Sequence, residues 1–187
     1  MRLTLVTLFI LFLTSCSLPY FNKDTEILSY EEYKSALPTK VINKFKLSGK
    51  LSLFINQEGQ TGKILWDFKD NKDTIHILNP FNTKIAEIIL FEPEKKVILK
   101  FSNKNDLDSK ELISRIFGNE ENIFLLKKFI INPPQQLSNK YNIWMRHENW
   151  NIFYQGNKVI RGQILPNVIG FEKNNIKLKI FVSDWVL

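Results

Sequence analysis

Residues 74–91 read TIHILNPFNTKIAEIILF, which is two strand-like runs joined by a turn. The segment Asn79, Pro80, Phe81 and Asn82 fits a type I turn, because proline presets φ at the second position and asparagine is favoured at the first. A tight type I loop matches the twist of a hairpin poorly, so we predict a longer loop that projects from the sheet. Phe81 then either stands in solvent or folds back onto a neighbouring strand.

The same period of two extends on both sides of this hairpin. Residues 45–55 alternate apolar residues or glycine with polar ones, and residues 62–69 do so from Ile64 to Phe68. Residues 85–91 are apolar on both faces, so this strand must be covered on each side. Turns are predicted at residues 57–60, 70–72 and 92–95, and further strands at residues 97–101, 141–145, 150–154, 166–172 and 176–182.

Amphipathic segments interrupt this β pattern. Ser29 is a candidate N-cap, with Glu32 at the capping-box position, for a short helix that ends before Pro38. Two more helices are predicted, at residues 108–118 and 122–131, and each carries an apolar stripe suited to covering a sheet. We therefore predict a mainly β (α+β) fold, in which helices form a lid over one mouth of a strongly curved antiparallel sheet.

The first residues indicate export from the cytoplasm. Arg2 precedes an apolar core at residues 3–13, which is shorter than the roughly 20 apolar residues of a membrane-spanning helix. Residues 13–16, Leu-Thr-Ser-Cys, resemble the lipobox of bacterial lipoproteins, in which the cysteine receives lipid and becomes the first mature residue. The alternative is an ordinary secretory peptide with an incidental cysteine.

Cys16 is the one cysteine of the chain, so no disulfide can form within one molecule, and an attachment point explains its thiol best. Ser17 is not the aspartate of an inner-membrane retention signal, which favours a lipid-anchored protein of the outer membrane that faces the periplasm. We accordingly divide the chain into a removed signal peptide (1–15), a lipidated cysteine with its tether (16–28) and one domain (29–187).

The net charge and the absence of known catalytic motifs limit the classes of function that the sequence predicts. The formal net charge is +7, and the lysines alternate with apolar residues along strands, as on a solvated face. This charge suits a weak attraction to anionic lipid or to an acidic partner protein, whereas nucleic acid is not expected outside the cytoplasm. His76 and His147 stand at no metal-ligand spacing, and Glu92 and Glu94 flank a proline in a predicted turn, where we expect them to be solvated. No nucleophile elbow or phosphate loop occurs, so we predict a non-enzyme without cofactor or metal.

Taken in order, these features resemble the LolB family of outer-membrane lipoproteins, and they span nearly the whole mature chain. The matching segments are the lipobox at Cys16, residues 49–53 (GKLSL), the Trp66 strand, residues 78–81 (LNPF), 126–130 (LKKFI), 149–152 (NWNI) and 176–179 (IKLK), and Asp184 with Trp185. The resemblance implies an incomplete antiparallel β-barrel of about eleven strands, with helices forming a lid over an apolar cavity for acyl chains. It also implies a receptor that accepts lipoproteins from the periplasmic carrier LolA and inserts them into the outer membrane.

In that family an apolar residue on a projecting loop places cargo in the membrane. Here the corresponding loop is Asn79, Pro80, Phe81 and Asn82, with Phe81 where leucine is usual and Asn82 where glycine is common. The expected partners are LolA, acylated lipoprotein cargo and outer-membrane lipid, and a monomer is expected.

Eight apolar residues are candidates for lining the acyl cavity, and the alternative for each is ordinary core packing. They are Trp66, Phe68, Ile116, Phe117, Phe129, Ile130, Trp150 and Ile152. Two competing hypotheses come from other classes. An outer-membrane scaffold lipoprotein that presents a protein-binding surface predicts a filled barrel, and an enzyme of envelope remodelling predicts polar groups that converge in a cleft.

Overall fold

The computed structural model describes residues 25–38, 42–56, 58–102, 120–137 and 142–187. These ranges contain ten strands in one open sheet and two helices, so the prediction of a mainly β fold is confirmed, with ten described strands against about eleven expected. The strands are β1 (Thr25–Leu28), β2 (Phe45–Ile55), β3 (Glu58–Lys69), β4 (Lys72–Leu78), β5 (Lys84–Phe91), β6 (Lys96–Phe101), β7 (Asn142–His147), β8 (Trp150–Ile160), β9 (Gln163–Lys173) and β10 (Ile176–Val186). The helices are α1 (Tyr30–Ser35) and α2 (Glu120–Ile131).

The sheet consists of two meanders, β2 to β6 and β7 to β10, which are joined by the pairing of β10 with β2. The strand order is β1-β7-β8-β9-β10-β2-β3-β4-β5-β6, and every neighbouring pair is antiparallel except β1 with β7. Ile64, Trp66 and Phe68 of β3 are buried on one face, whereas Lys63, Asp67 and Lys69 alternate with them. This alternation gives the sheet an apolar inner face and a polar outer face.

The turns between paired strands lie close to where the sequence predicts them, with two exceptions. Asp70 and Asn71 both have left-handed backbone, at φ 54° and 59°, as a two-residue β-hairpin loop requires. Residues 58–60 were wrongly predicted as a turn, because β3 begins at Glu58, opposite Ile55, and Asn56 (φ 50°) already reverses the chain.

The hairpin of β8 and β9 is longer than predicted. Residues 155–158 (QGNK) do not alternate apolar with polar side chains, so no strand was predicted there, but the pairing of the two strands continues past them. The turn of this hairpin lies at Arg161 and Gly162, whose φ values are 50° and 78°. Pro166 lies inside β9 opposite Asn157, and the pairing of β9 with β10 ends before it, at Val168. Proline lacks the N–H that a second neighbour would need.

The predicted tether ends earlier than residue 28. Thr25–Leu28 form the edge strand β1, which pairs in parallel with Asn142–Met145 of β7. The sequence has no alternation there, because this edge strand of four residues buries only Leu28, at its end, and is otherwise held by main-chain pairing. The predicted tether at residues 16–28 therefore overlaps the sheet at its last four positions.

The predicted capping box of α1 is confirmed. The Ser29 hydroxyl accepts a hydrogen bond from the Glu32 amide at 3.2 Å, and the Ser29 amide donates to the Glu32 carboxylate at 2.7 Å. Helix α2 buries Leu126, Phe129 and Ile130 of its predicted stripe, whereas Leu125, the fourth residue of that stripe, is half-buried. The helix predicted at residues 108–118 lies outside the described residues, so a lid of two helices stays a prediction. In the ranges that the structure describes, no helix combines the length and the apolar character needed to cross a bilayer.

Candidate functional site

The loop between β4 and β5 is fixed by its own hydrogen bonds. The Asn82 amide donates to the Asn79 carbonyl at 3.0 Å, which is the turn predicted from the sequence. The Asn79 side chain accepts from the amides of Phe81 and Thr83, both at 3.0 Å, and the Asn79 amide donates to the Thr83 carbonyl at 2.9 Å. Asn82 has φ 64°, so asparagine takes the left-handed position that otherwise favours glycine. Asparagine at position 82 is therefore compatible with this turn.

Phe81 projects into solvent from the tip of this loop. Its side chain is 87% exposed, the largest exposure among the exposed large apolar residues in the described ranges. The sequence did not determine whether the Phe81 ring folds back onto a strand, and in the structure the ring is exposed to solvent. Lys63 of β3 donates a hydrogen bond to the Asn82 side chain and so braces the loop against the neighbouring strand. The loop therefore presents an apolar ring on a constrained backbone.

A small apolar cavity lies between α2 and the inner face of the sheet. Its volume is about 40 Å³, and its wall is formed by Leu51, Ile64, Trp66, Ile75, Ile77, Ile88, Ile123, Leu126, Ile130, Leu178 and Ile180. Pockets that hold drug-sized ligands measure about 300 to 1,000 Å³, so this cavity is far smaller than a ligand site of that kind. Of the predicted cavity residues, Trp66 and Ile130 line this space.

The other described candidates are buried in the core away from the cavity wall. Phe68, Phe129, Trp150 and Ile152 are each at most 5% exposed, but none of them lines the cavity. Phe129 instead packs against Tyr33, with ring centroids 5.4 Å apart, and the Tyr154 hydroxyl donates to its carbonyl at 3.0 Å. Ile116 and Phe117 lie outside the described residues.

A buried ion pair between α2 and the sheet was missed by the sequence analysis. The Lys127 ammonium lies 2.8 Å from the Asp73 carboxylate and 2.7 Å from that of Glu92, and it stands 3.3 Å from the centroid of the Phe68 ring. The Trp66 indole N–H donates to Asp73 at 2.7 Å. The side chains of Lys127 and Asp73 are 3% and 0% exposed. Helix α2 is thus fastened to β4 by charge as well as by apolar packing.

The sequence analysis made no prediction for Lys127. This residue follows Ile123 and Leu126 and precedes Ile130 on one stripe of α2, a spacing that could have revealed its burial. Glu92 lies in the predicted turn with an exposed side chain, as expected, and it also pairs with this buried lysine. Burial raises the pKa of Asp73, against the opposing hydrogen bonds from Lys127 and Trp66.

Sequence comparison agrees with the architecture of loop, sheet and helix. A family model described as outer membrane lipoprotein LolB matches residues 43–185. This chain belongs to the LolB family. The outer-membrane lipoprotein LolB of Nitrosomonas europaea is 22% identical to it over 154 residues, which cover 75% of this chain and 72% of that protein.

The matched region takes in the Phe81 loop, the cavity wall and the Lys127 contacts. Membership confirms the resemblance found in the sequence and supports a role as an outer-membrane lipoprotein receptor in lipoprotein localisation.

Proposed function

We propose that this protein accepts acylated lipoproteins from a LolA-type periplasmic carrier and inserts them into the outer membrane through the Phe81 loop. The observation that carries the proposal is the exposed Phe81 ring on a hydrogen-bonded loop. Burying a phenylalanine side chain in an apolar environment contributes about 1.5 to 3 kcal/mol. Because the loop is already held by Asn79, little ordering entropy opposes this gain.

The cargo must stay shielded from water during transfer. A triacyl anchor carries about 45 methylenes, and at about 0.8 kcal/mol each its exposure would cost on the order of 35 kcal/mol. The cavity of about 40 Å³ is too small for such chains, so α2 must move away from the sheet to admit them. Acyl chains would then replace Ile123, Leu126 and Ile130 against the inner face.

Transfer runs downhill in this proposal. The protein holds acyl chains more tightly than the donor does, and the bilayer holds them more tightly still. Each tenfold step in affinity needs about 1.4 kcal/mol, which small differences in an apolar wall can supply. A lipid on Cys16 would keep the domain at the acceptor membrane, and stable anchoring needs more than one acyl chain.

The test replaces Phe81 in the lipidated full-length chain. Phe81→Glu should still take cargo from the carrier but release it poorly into acceptor liposomes, because a charge opposes seating of the loop among lipids. Phe81→Leu is the matched control and should work nearly normally, since the role needs apolar surface rather than an aromatic ring. Phe81→Ala should change the free energy of unfolding by no more than about 0.5 kcal/mol. Normal acceptance and insertion by Phe81→Glu would refute the assignment of this loop.

One observation favours a second candidate, a scaffold lipoprotein, namely that the apolar cavity between α2 and the sheet has a volume of only about 40 Å³. Native mass spectrometry of the full-length chain with an acylated lipoprotein separates the two functions. Stoichiometric uptake supports the receptor, and no uptake supports the scaffold.

A further inference from the structure

Two lysines face each other on the outer side of the sheet beside the Phe81 loop. Lys50 of β2 and Lys63 of β3 are direct cross-strand partners, and both are exposed. Like charges directly opposite each other destabilise a sheet. In the described part of the chain, neither ammonium pairs with a carboxylate. The pair therefore carries an electrostatic cost that no acidic side chain of those ranges offsets.

Three other lysines of neighbouring strands are compensated by carboxylates. Lys46 pairs with Asp67 at 2.9 Å, and Lys84 and Lys100 both contact the Glu87 carboxylate, at 3.0 and 2.8 Å. The hydrogen bonds from Lys100 and Lys84 lower the pKa of Glu87 to about 2, so this carboxylate stays ionised. Lys50 and Lys63 thus differ from these three lysines in lacking a carboxylate partner.

The lysine pair borders a groove that reaches the insertion loop. The groove has a volume of about 410 Å³, and it is lined by Lys50, Lys63 and Pro80 together with the hydroxyl residues Ser48, Thr61 and Ser183. Ammonium groups and hydroxyls are the donors that phosphate oxygens accept from. Lys63 also donates to Asn82, so one lysine touches both the groove and the loop.

We propose that Lys50 and Lys63 bind the phosphates of anionic phospholipid headgroups when the Phe81 loop enters the bilayer. This proposal rests on the proposed function of the loop. An apolar ring next to unpaired cations is the pattern of a segment that lies in a membrane interface. Phe181, which is 42% exposed, stands directly opposite Lys50 in β10 and adds apolar surface to the same row. An acidic protein surface would not require this apolar neighbourhood.

The first experiment measures the lysines themselves. The lipidated full-length chain is reconstituted in vesicles of phosphatidylcholine alone or mixed with phosphatidylglycerol, and the acetylation rate of each lysine is followed by mass spectrometry. Lys50 and Lys63 should become several-fold less reactive when phosphatidylglycerol is present, and salt should abolish the effect. Lys69 and Lys72 are the control pair, because they are also direct partners, but Lys69 lies 3.6 Å from the Asp70 carboxylate and the pair is about 20 Å away along β3. Equal reactivity of Lys50 and Lys63 in both vesicles would overturn the proposal.

The second experiment measures cargo insertion by charge variants. Each lysine near an anionic surface contributes about fivefold in affinity, so Lys50→Gln with Lys63→Gln should lose on the order of 25-fold of the gain that phosphatidylglycerol gives. Lys50→Arg with Lys63→Arg should keep that gain, and so should Lys69→Gln with Lys72→Gln. Slower acceptance from the carrier on neutral vesicles would instead identify an acidic protein partner and overturn the lipid assignment. Failure of cargo insertion with intact headgroup protection would reject the proposed function while leaving lipid binding in place.

Discussion

Replacing Asp73 with asparagine tests whether charge fastens α2 to the sheet. The Asp73 carboxylate is fully buried, 2.8 Å from the Lys127 ammonium and 2.7 Å from the Trp66 indole nitrogen. Asparagine keeps the size of the side chain and an oxygen for the indole, but it removes the negative charge. Lys127 then retains Glu92, whose side chain is 42% exposed.

The expected loss is about 3 kcal/mol in the free energy of unfolding. Removing one partner of a buried ion pair costs about 3 to 5 kcal/mol, because the other charge stays buried without compensation. We expect the low end, since Glu92 continues to pair and since burial already disfavours ionised Asp73, as its raised pKa indicates. Adding Lys127→Met removes the charge that Asp73→Asn leaves without a full partner. The double variant should therefore lose less free energy of unfolding than the sum of the losses in the two single variants.

The assay is urea unfolding of the full-length protein in detergent, followed by circular dichroism, with hydrogen exchange of α2 as a local readout. Asp67→Asn is the matched control, because Asp67 pairs with Lys46 at the surface and its loss should stay below about 1 kcal/mol. A loss below about 1 kcal/mol for Asp73→Asn, or strict additivity in the double variant, would refute the argument that this pair holds the helix.

Two further outcomes follow from the packing and the charges. Phe129→Ala should lose about 3 to 5 kcal/mol of stability, but its folded fraction should take up cargo normally, because Phe129 does not line the cavity. Ile130→Ala should alter uptake, because Ile130 does line the cavity. A binding defect confined to Phe129→Ala in native mass spectrometry would contradict this. Glu87 has a pKa lowered to about 2 from an ordinary 4.5 by hydrogen bonds from Lys100 and Lys84, so it stabilises the fold above about pH 4.5 and loses that contribution as the pH falls toward 2. Glu87→Gln should reduce this acid dependence by about 1 to 2 kcal/mol after allowance for solvent screening. The free energies of unfolding in urea at about pH 7 and about pH 3 should therefore differ less for the variant than for the wild type, and an equal difference in the two proteins would contradict this.

Local backbone structure could be predicted from the sequence where a short segment forms hydrogen bonds within itself. The Asn79–Asn82 turn and the Ser29 capping box depend on residues at most three positions apart, and the structure has both. The direction of Phe81 was not readable, because it depends on whether a neighbouring strand offers the ring a place. The structure leaves the ring in solvent.

The site features that were missed depend on distant partners. Lys127 and Asp73 stand 54 positions apart, and an alternating pattern says nothing about which charges meet across a core. The same holds for β1, which pairs with a strand more than a hundred positions later. The small volume of the cavity under α2 also could not be predicted from the sequence, because apolar residues that line a cavity and apolar residues that close it have the same periodicity.

The central position of β10 makes the closing of the sheet depend on a long-range pairing. β10 lies between β9 and β2 and pairs with β2 along nearly its whole length, yet about 120 residues separate the end of β2 from the start of β10. Until β10 pairs with it, β2 has an open edge with apolar residues beside it, which is a template for aggregation. Truncation within residues 176–186 would therefore separate the two halves of the sheet rather than trim its rim.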